Sequence, residues 1–214
     1  MTSKLKRDQI PEQKANIWRK SFKEEEKLTF NLNVPTIILQ KETYKTLAGE
    51  NENRVRVYLG LEPVKENEKL ELCAYGVSAF LLGSGDVYVD YETPVFKLSK
   101  KNIDFSTNSS EVIESIKRYR SWRAGELDAE AEGAGVRKYI YPNAYLLTKF
   151  ELHEIFNVQN KKEAEIELGI SKTMSAMIVS PATENLESKS TMEEVYNEVQ
   201  PCPPYCDDRS IYNT

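Results

Sequence analysis

The sequence predicts an α+β fold, and three observations carry that prediction. The stretch NRVRVYLGLEP sets Val55, Val57, Leu59 and Leu61 against Arg54, Arg56, Tyr58 and Gly60, the period of two expected of a half-buried strand. PEQKANIWRKSFKEEEK instead spaces Ala15, Trp18 and Phe22 along one face of a helix. The second half of the chain then runs through a similar order of elements.

Taken in order, Pro11 suits a first helical position, where its missing N–H would have no partner anyway, and the helix is predicted from about Pro11 to Lys27. LTFNLNVPTIILQ is strand-like from Thr36 to Leu39, where β-branched and apolar residues combine. KETYKTLAG is a short helix stopped by Gly49. NRVRVYLGLEP and KLELCAYGVSAF, the latter alternating through Leu70, Leu72 and Ala74, predict an antiparallel hairpin. GSGD, from Gly83, is shorter than a phosphate loop and reads as a hairpin turn. It leads to strands in DVYVDYE, with Val87, Val89 and Tyr91 on one face, and in PVFKLS. NSSEVIESIKRYRSWRAGELDAEAEGAG is the longest predicted helix: Asn108 with Glu111 resembles a capping box, Val112, Ile116 and Tyr119 share a face, and Gly133 and Gly135 end it. A second hairpin in AEIELGISKTMSAMIVSP stops at Pro181. Thr191 with Glu194 then caps a last short helix, MEEVYNEV.

TIILQKETYKTLAGENENRVRVYLGLE lies over AYLLTKFELHEIFNVQNKKEAEIELGIS. Leu39, Lys41, Tyr44 and Leu47 fall on Leu147, Lys149, Leu152 and Ile155, and after one inserted residue Val57, Leu59, Gly60 and Leu61 fall on Ile166, Leu168, Gly169 and Ile170. The two tryptophans, Trp18 and Trp122, align as well, each followed by arginine. The expectation is an internal duplication: a first α+β unit over 1–107, a second over 108–182, and an acidic tail over 183–214. Each unit is expected to run helix, strand, helix, strand, strand with an antiparallel or mixed sheet, and the paired tryptophans to hold equivalent places.

The chain is 214 residues long and 40% hydrophobic, enough to bury a sizeable core. Its net charge of −5 resides in the tail, where seven acids (Glu184, Glu187, Glu193, Glu194, Glu198, Asp207, Asp208) face Lys189 and Arg209. A neutral body with an acidic end lacks the basic face that nucleic acid requires, so no nucleic-acid partner is expected. MTSKLKRDQIPEQ precedes no apolar run, so neither a signal peptide nor a membrane span is expected; VSAFLLG, Val77 to Gly83, has the length of a strand. The expected address is cytoplasmic, with thiols reduced. The N-x-S sequon at Asn108 then reads as part of a helix cap.

PCPPYC, from Pro201 to Cys206, holds two of the three cysteines. Structural zinc would need Cys73, Cys202, Cys206 and the single histidine, His153, brought from three distant places, so no metal or other cofactor is expected. A thioredoxin-type centre needs two residues between its cysteines and a helix after them; here Pro203, Pro204 and Tyr205 intervene and the predicted helix comes before. A local disulfide fits a turn, although a reducing compartment opposes it. The plainest reading is a stiff turn whose prolines fix the backbone while Cys202, Cys206 and Tyr205 dock it. ELDAEAEGAG and MEEVYNEV read as solvated helix faces, and neither G-x-S-x-G nor H-E-x-x-H occurs. No catalytic residue emerges.

A tryptophan-bearing N-terminal helix, K-E-x-x-x-x-L, the R-V-Y-L-G-L strand, the strand KLELCAYG and the closing CPPYC together resemble a group of small bacterial proteins that end in a Cys-Pro-Pro-x-Cys tail. The likeness covers Ala15 to Gly76 and Pro201 to Cys206. Those proteins look as though they hold one such unit, and the apparent second unit, Ser109 to Ala182, is a departure. The resemblance implies no activity, cofactor or catalytic residue.

The expected function is a non-enzymatic interaction or self-assembly subunit with a protein partner or itself, because strands with usable edges are abundant while catalytic signals are missing. Pro201, Cys202, Pro203, Pro204, Tyr205 and Cys206 are the candidate docking element. The alternative is a regulator or enzyme that binds a small molecule or nucleotide.

Overall fold

The structure, a computed structural model, describes residues 6–29, 32–64, 70–126, 138–182, 194–197 and 199–214. Its architecture is α+β, with two sheets that are antiparallel apart from one short parallel pairing, and its minor elements are β1 (Gln9–Ile10), β2 (Leu32–Asn33), α2 (Lys41–Ala48) and β7 (Ile103–Asp104). The larger sheet is built on the predicted hairpin of β4 (Arg54–Pro63) and β5 (Leu70–Leu81). The smaller is built on the hairpin of β9 (Glu163–Ser171) and β10 (Met174–Pro181). The inward sets foreseen from alternation, Val55, Val57, Leu59 and Leu61 with Ala164, Ile166, Leu168 and Ile170, are buried in one main core between the sheets.

Strands from each half of the chain complete the sheet of the other. β3 (Ile37–Gln40) pairs with β9, and β8 (Ala144–Leu146) pairs with β4. The registers correspond: Ile37 faces Ile166, and the residues aligned with them, Tyr145 and Val57, face each other; Ile38–Glu165 and Leu146–Arg56 correspond in the same way. The helices follow this exchange. α1 (Glu12–Thr29) lies on β9, and α3 (Ser109–Ala124) lies on β4.

A glycine permits each close approach. A Cβ on Gly169 would lie 2.9 Å from Trp18 Cβ, and one on Gly60 would lie 2.7 Å from the Tyr75 ring and 3.1 Å from Ser115 Cβ. The aligned glycines therefore sit under Trp18 and under Ser115, two turns short of Trp122. This corrects the expected equivalence of the tryptophans. Trp18 is half-buried in a small cluster with Ile10, Ala15, Ile178 and Val195, whereas Trp122 is buried in the main core beside Tyr119 and Tyr141.

Four further expectations change. β4 is buried on both faces from Arg54 to Leu61, because α3 and the C-terminal segment cover the face predicted to meet water. α3 ends at Ala124, where Gly125 adopts the left-handed conformation (φ 79°) and its N–H bonds back to the last turn; the predicted end at Gly133 and Gly135 lies outside the described residues. The two strands predicted after GSGD form one, β6 (Tyr88–Lys97), whose pairing with β5 shifts register between Val77 and Ala79. In place of the last helix, Val195–Tyr196 is a short strand, β11, against β10, while Thr191–Glu193 and Glu198 lie outside the described residues.

Side chains cap two edges that sequence left open. Asn102 donates to the Ile38 carbonyl and accepts from the Gln40 N–H, so it stands in for a strand beside β3. Along β6, the Asp90 N–H donates to Asp207 and the Glu92 carbonyl accepts from the Tyr212 hydroxyl. No helix among the described residues is long and apolar enough to cross a membrane.

Candidate functional site

Three polar assemblies grow from the back face of β4, the side away from the main core. Alternation aims Arg56 and Tyr58 at this face, and both are buried. Arg56 Nε lies 2.7 Å from Asp90 Oδ1, with both side chains at most 1% exposed, and Tyr58 donates to Asp90 Oδ2 at 2.6 Å. Burial raises the Asp90 carboxyl above its ordinary value despite the opposing pull of Arg56 and Tyr58. The remaining Arg56 donors reach the carbonyls of Tyr88 and Tyr205, so the same cation ties β6 to the C-terminal segment.

That segment is woven into the fold. β12 (Gln200–Cys202) pairs with β8, and Tyr212 packs at 5.7 Å ring separation against Tyr58. Burial pushes the Tyr212 hydroxyl up to about 12. Asn213 accepts from Arg120 of α3 at 2.7 Å. Within PCPPYC, Pro201 faces Tyr145 and Cys202 is fully buried in a second core with Tyr58, Tyr75 and Val77. Cys202 and Cys206 form a disulfide, which replaces the picture of two separate thiols docking the turn. Pro203, Pro204 and Tyr205 are exposed, and Cys206 is half-buried. His153 is exposed on α4 (Lys149–His153), far in role from any thiol: its ring nitrogen contacts Asn157.

Tyr205 is linked through its backbone to an apolar hairpin turn. Its carbonyl shares Arg56 with that of Tyr88, Tyr88 pairs with Leu81, and the Leu82 N–H bonds to the Val87 carbonyl across the hairpin turn. Leu81, Leu82, Val87, Tyr91 and Tyr205 are between 41% and 55% exposed, and the Tyr91 ring lies 4.7 Å from that of Phe80. Sequence reasoning singled out Tyr205 but missed the hairpin tip. Three apolar residues flanking the turn, Leu81, Leu82 and Val87, were the available signal.

At the other end of β4's back face, Glu62 pairs with Lys97 at 2.7 Å and accepts from Tyr75. Burial would raise the Glu62 carboxyl, but Lys97 and Tyr75 outweigh it and hold it below its ordinary value. Burial, with Glu62 nearby, pushes the Cys73 thiol up to about 12, so it stays protonated and inert at neutral pH.

A cleft of about 580 Å³ opens beside Arg54, bounded by Tyr88, Lys149, Phe150 and Gln200 among others. Thr148 caps α4 with a complete capping box to Glu151, which fixes where Lys149 and Phe150 stand. Comparison with protein-family models, with curated proteins and with solved structures gives no match.

Proposed function

We propose that the protein is a non-enzymatic interaction module whose docking surface is the apolar end formed by the β5–β6 turn and the Pro203–Tyr205 strap. The observation that carries this is the exposure of Leu81, Leu82 and Val87 on the β5–β6 turn, next to a strap whose Tyr205 is also exposed and whose Tyr205 carbonyl shares the buried Arg56 with the Tyr88 carbonyl. An anchored apolar patch with aromatic rings at its margin is the kind of surface protein partners cover. The exposed charges that flank these segments in sequence are mostly acidic, Asp86, Glu92 and Asp208 against Arg209. Two such acidic surfaces repel each other, so the occupant is a different protein whose contact carries lysine or arginine.

The test captures binders from an extract of the source cells and then rebuilds binding with the captured protein in purified form. Expected is a defined complex, weakened by salt and abolished by Leu82→Asp at an unchanged melting temperature. Binding that survives both Leu82→Asp and Tyr205→Ser, or a symmetric homodimer that Leu82→Asp dissolves, overturns the assignment.

We further infer that the chain is a duplicated unit in which helix and first strand have been exchanged between the copies. The corresponding registers of β3 on β9 and β8 on β4 support this, as do the aligned glycines beneath α1 and α3. The tryptophans give it no support.

A further inference from the structure

Arg54 lies at the cleft floor with 7% of its surface exposed, yet none of the ion pairs between described residues includes it. Its hydrogen bonds go to neutral oxygens: Nε to the Leu147 carbonyl at 2.7 Å, Nη1 to Gln200 Oε1 at 2.7 Å and Nη2 to the Leu146 carbonyl at 3.1 Å. The guanidinium also lies 4.7 Å over the Tyr88 ring. Dipoles and a ring face offset only part of the cost of taking a cation out of water; a contacting anion would offset far more. Three of the five N–H groups are committed to these oxygens and the Tyr88 side chain is a further partner, which leaves a donor for a ligand oxygen. Burial disfavours the charged guanidinium and outweighs the opposing support of the Tyr88 side chain and of the Glu151 charge.

The cleft walls add to the case. Lys149 and His153 stand one turn apart on α4, both exposed and both bounding the cleft, and Lys149 has no ion-pair partner among the described residues. Of the acids there, Asp8 is taken by the Thr148 hydroxyl at 3.1 Å and by Arg7, leaving Glu52 and Asp86 as exposed carboxylates. Tyr44, Tyr88 and Phe150 supply aromatic wall. The volume suits a small organic ligand.

We propose that this cleft binds a small organic anion, a carboxylate or phosphate attached to a planar ring, with its charged group held by Arg54 and Lys149 and its ring beside Phe150. Arg54 is then both a stitch between β4, β8 and β12 and the ligand's recognition point. This inference does not rest on the docking reading, although Asp86 and Tyr88 border both regions.

The test is an amide NMR titration at constant ionic strength with four probes: adenosine 5′-monophosphate, benzoate, inorganic phosphate and neutral adenosine. Expected is saturable binding of one ring-bearing anion, with shifts centred on Arg54, Tyr88, Lys149 and Phe150, and no saturation by adenosine. Which of the monophosphate and benzoate binds distinguishes phosphate from carboxylate. Lys149→Glu, an exposed change that spares the core, weakens binding about tenfold or more, as expected for replacing an attractive charge with a repulsive one. The inference is overturned if neither ring-bearing anion saturates below about 10 mM, the weak limit of useful affinity. Shifts that map elsewhere, or a Lys149→Glu variant that binds as the parent does, overturn it equally.

Discussion

Asp90→Ala tests whether the Arg56–Asp90 pair anchors the C-terminal segment. The two side chains are at most 1% exposed and 2.7 Å apart, and Asp90 also accepts from Tyr58 at 2.6 Å. Removing the carboxylate deletes two hydrogen bonds to a charged group, each contributing about 1.5–3 kcal/mol, and leaves Arg56 buried without a counter-charge. Breaking a buried pair on one side costs about 3–5 kcal/mol. The carbonyls of Tyr88 and Tyr205 still hold Arg56, and Ser210 still lies 3.3 Å from the Tyr58 hydroxyl, which keeps the loss within that range. Urea unfolding followed by tryptophan fluorescence and circular dichroism should show the midpoint falling by about 1.5–2.5 M for a slope near 2 kcal/mol/M. The double variant Arg56→Met, Asp90→Leu should recover much of the loss, because both charges leave together. A loss below about 1 kcal/mol for Asp90→Ala, or a double variant worse than the single, would refute the reasoning.

Thiol titration with a disulfide reagent should find no reactive thiol in the native protein, one after denaturation and all three cysteines after denaturation with reduction; a thiol reactive in the native state contradicts the burial of Cys73 and the Cys202–Cys206 bond. Because the Glu62 carboxyl is held below its unfolded value, its stabilisation is present above the unfolded value and lost as pH falls from there through the depressed folded value. The stability difference between the parent and Glu62→Gln should therefore shrink below about pH 4, and a difference constant from neutral pH into acid would contradict the assignment. Gly60→Ala and Gly169→Ala should each destabilise by about 1–3 kcal/mol in chemical denaturation, since a Cβ at either position presses a helix off its sheet. Chains 1–107 and 108–214 expressed apart should each lack cooperative unfolding and regain it on mixing, because β9 needs β3 and β4 needs β8; either half folding alone would disprove this.

Elements with a local cause were legible. The alternation of Val55 to Leu61 and of Ala164 to Ile170 named the inner faces of both sheets, and Gly49 and Pro181 marked true ends. What failed depended on what the rest of the chain places against an element. Period two showed that Arg54, Arg56 and Tyr58 share a face, but not that α3 and the tail would cover it, so two buried arginines read as solvent-facing. MEEVYNEV has helical composition, yet Val195 and Tyr196 extend because β10 offers them an edge. Gly125 ended α3 earlier than the glycine pair that stood out in the sequence. The aligned L-G-[LI] triplets had a cause that sequence could only suggest, a helix crossing each glycine, while the matching Trp-Arg pairs had none. For the candidate docking element, sequence identified the exposed Tyr205 and left out its neighbours on the hairpin turn, which lie more than a hundred residues away.

The capped edges bear on how a partner can bind. A strand adding to β3 would have to displace Asn102 from Ile38 and Gln40, and one adding to the first part of β6 would have to displace Asp207 and Tyr212. The second displacement is the costlier. Asp207 and Tyr212 belong to a segment tied by the Cys202–Cys206 disulfide, by Arg120 to Asn213 and by Arg56 to Tyr205, so one edge cannot be freed without loosening several buried contacts. β-Strand addition, which the abundance of strands first suggested, is thus opposed at these two edges. Side-chain contact at the hairpin tip meets no such barrier: Leu81, Leu82 and Val87 are already exposed, and covering them removes apolar surface from water without breaking a hydrogen bond. The tail that guards the β6 edge also carries the exposed Tyr205, whose carbonyl shares Arg56 with that of Tyr88. Protection against strand pairing and one exposed ring of the proposed docking surface therefore come from one segment.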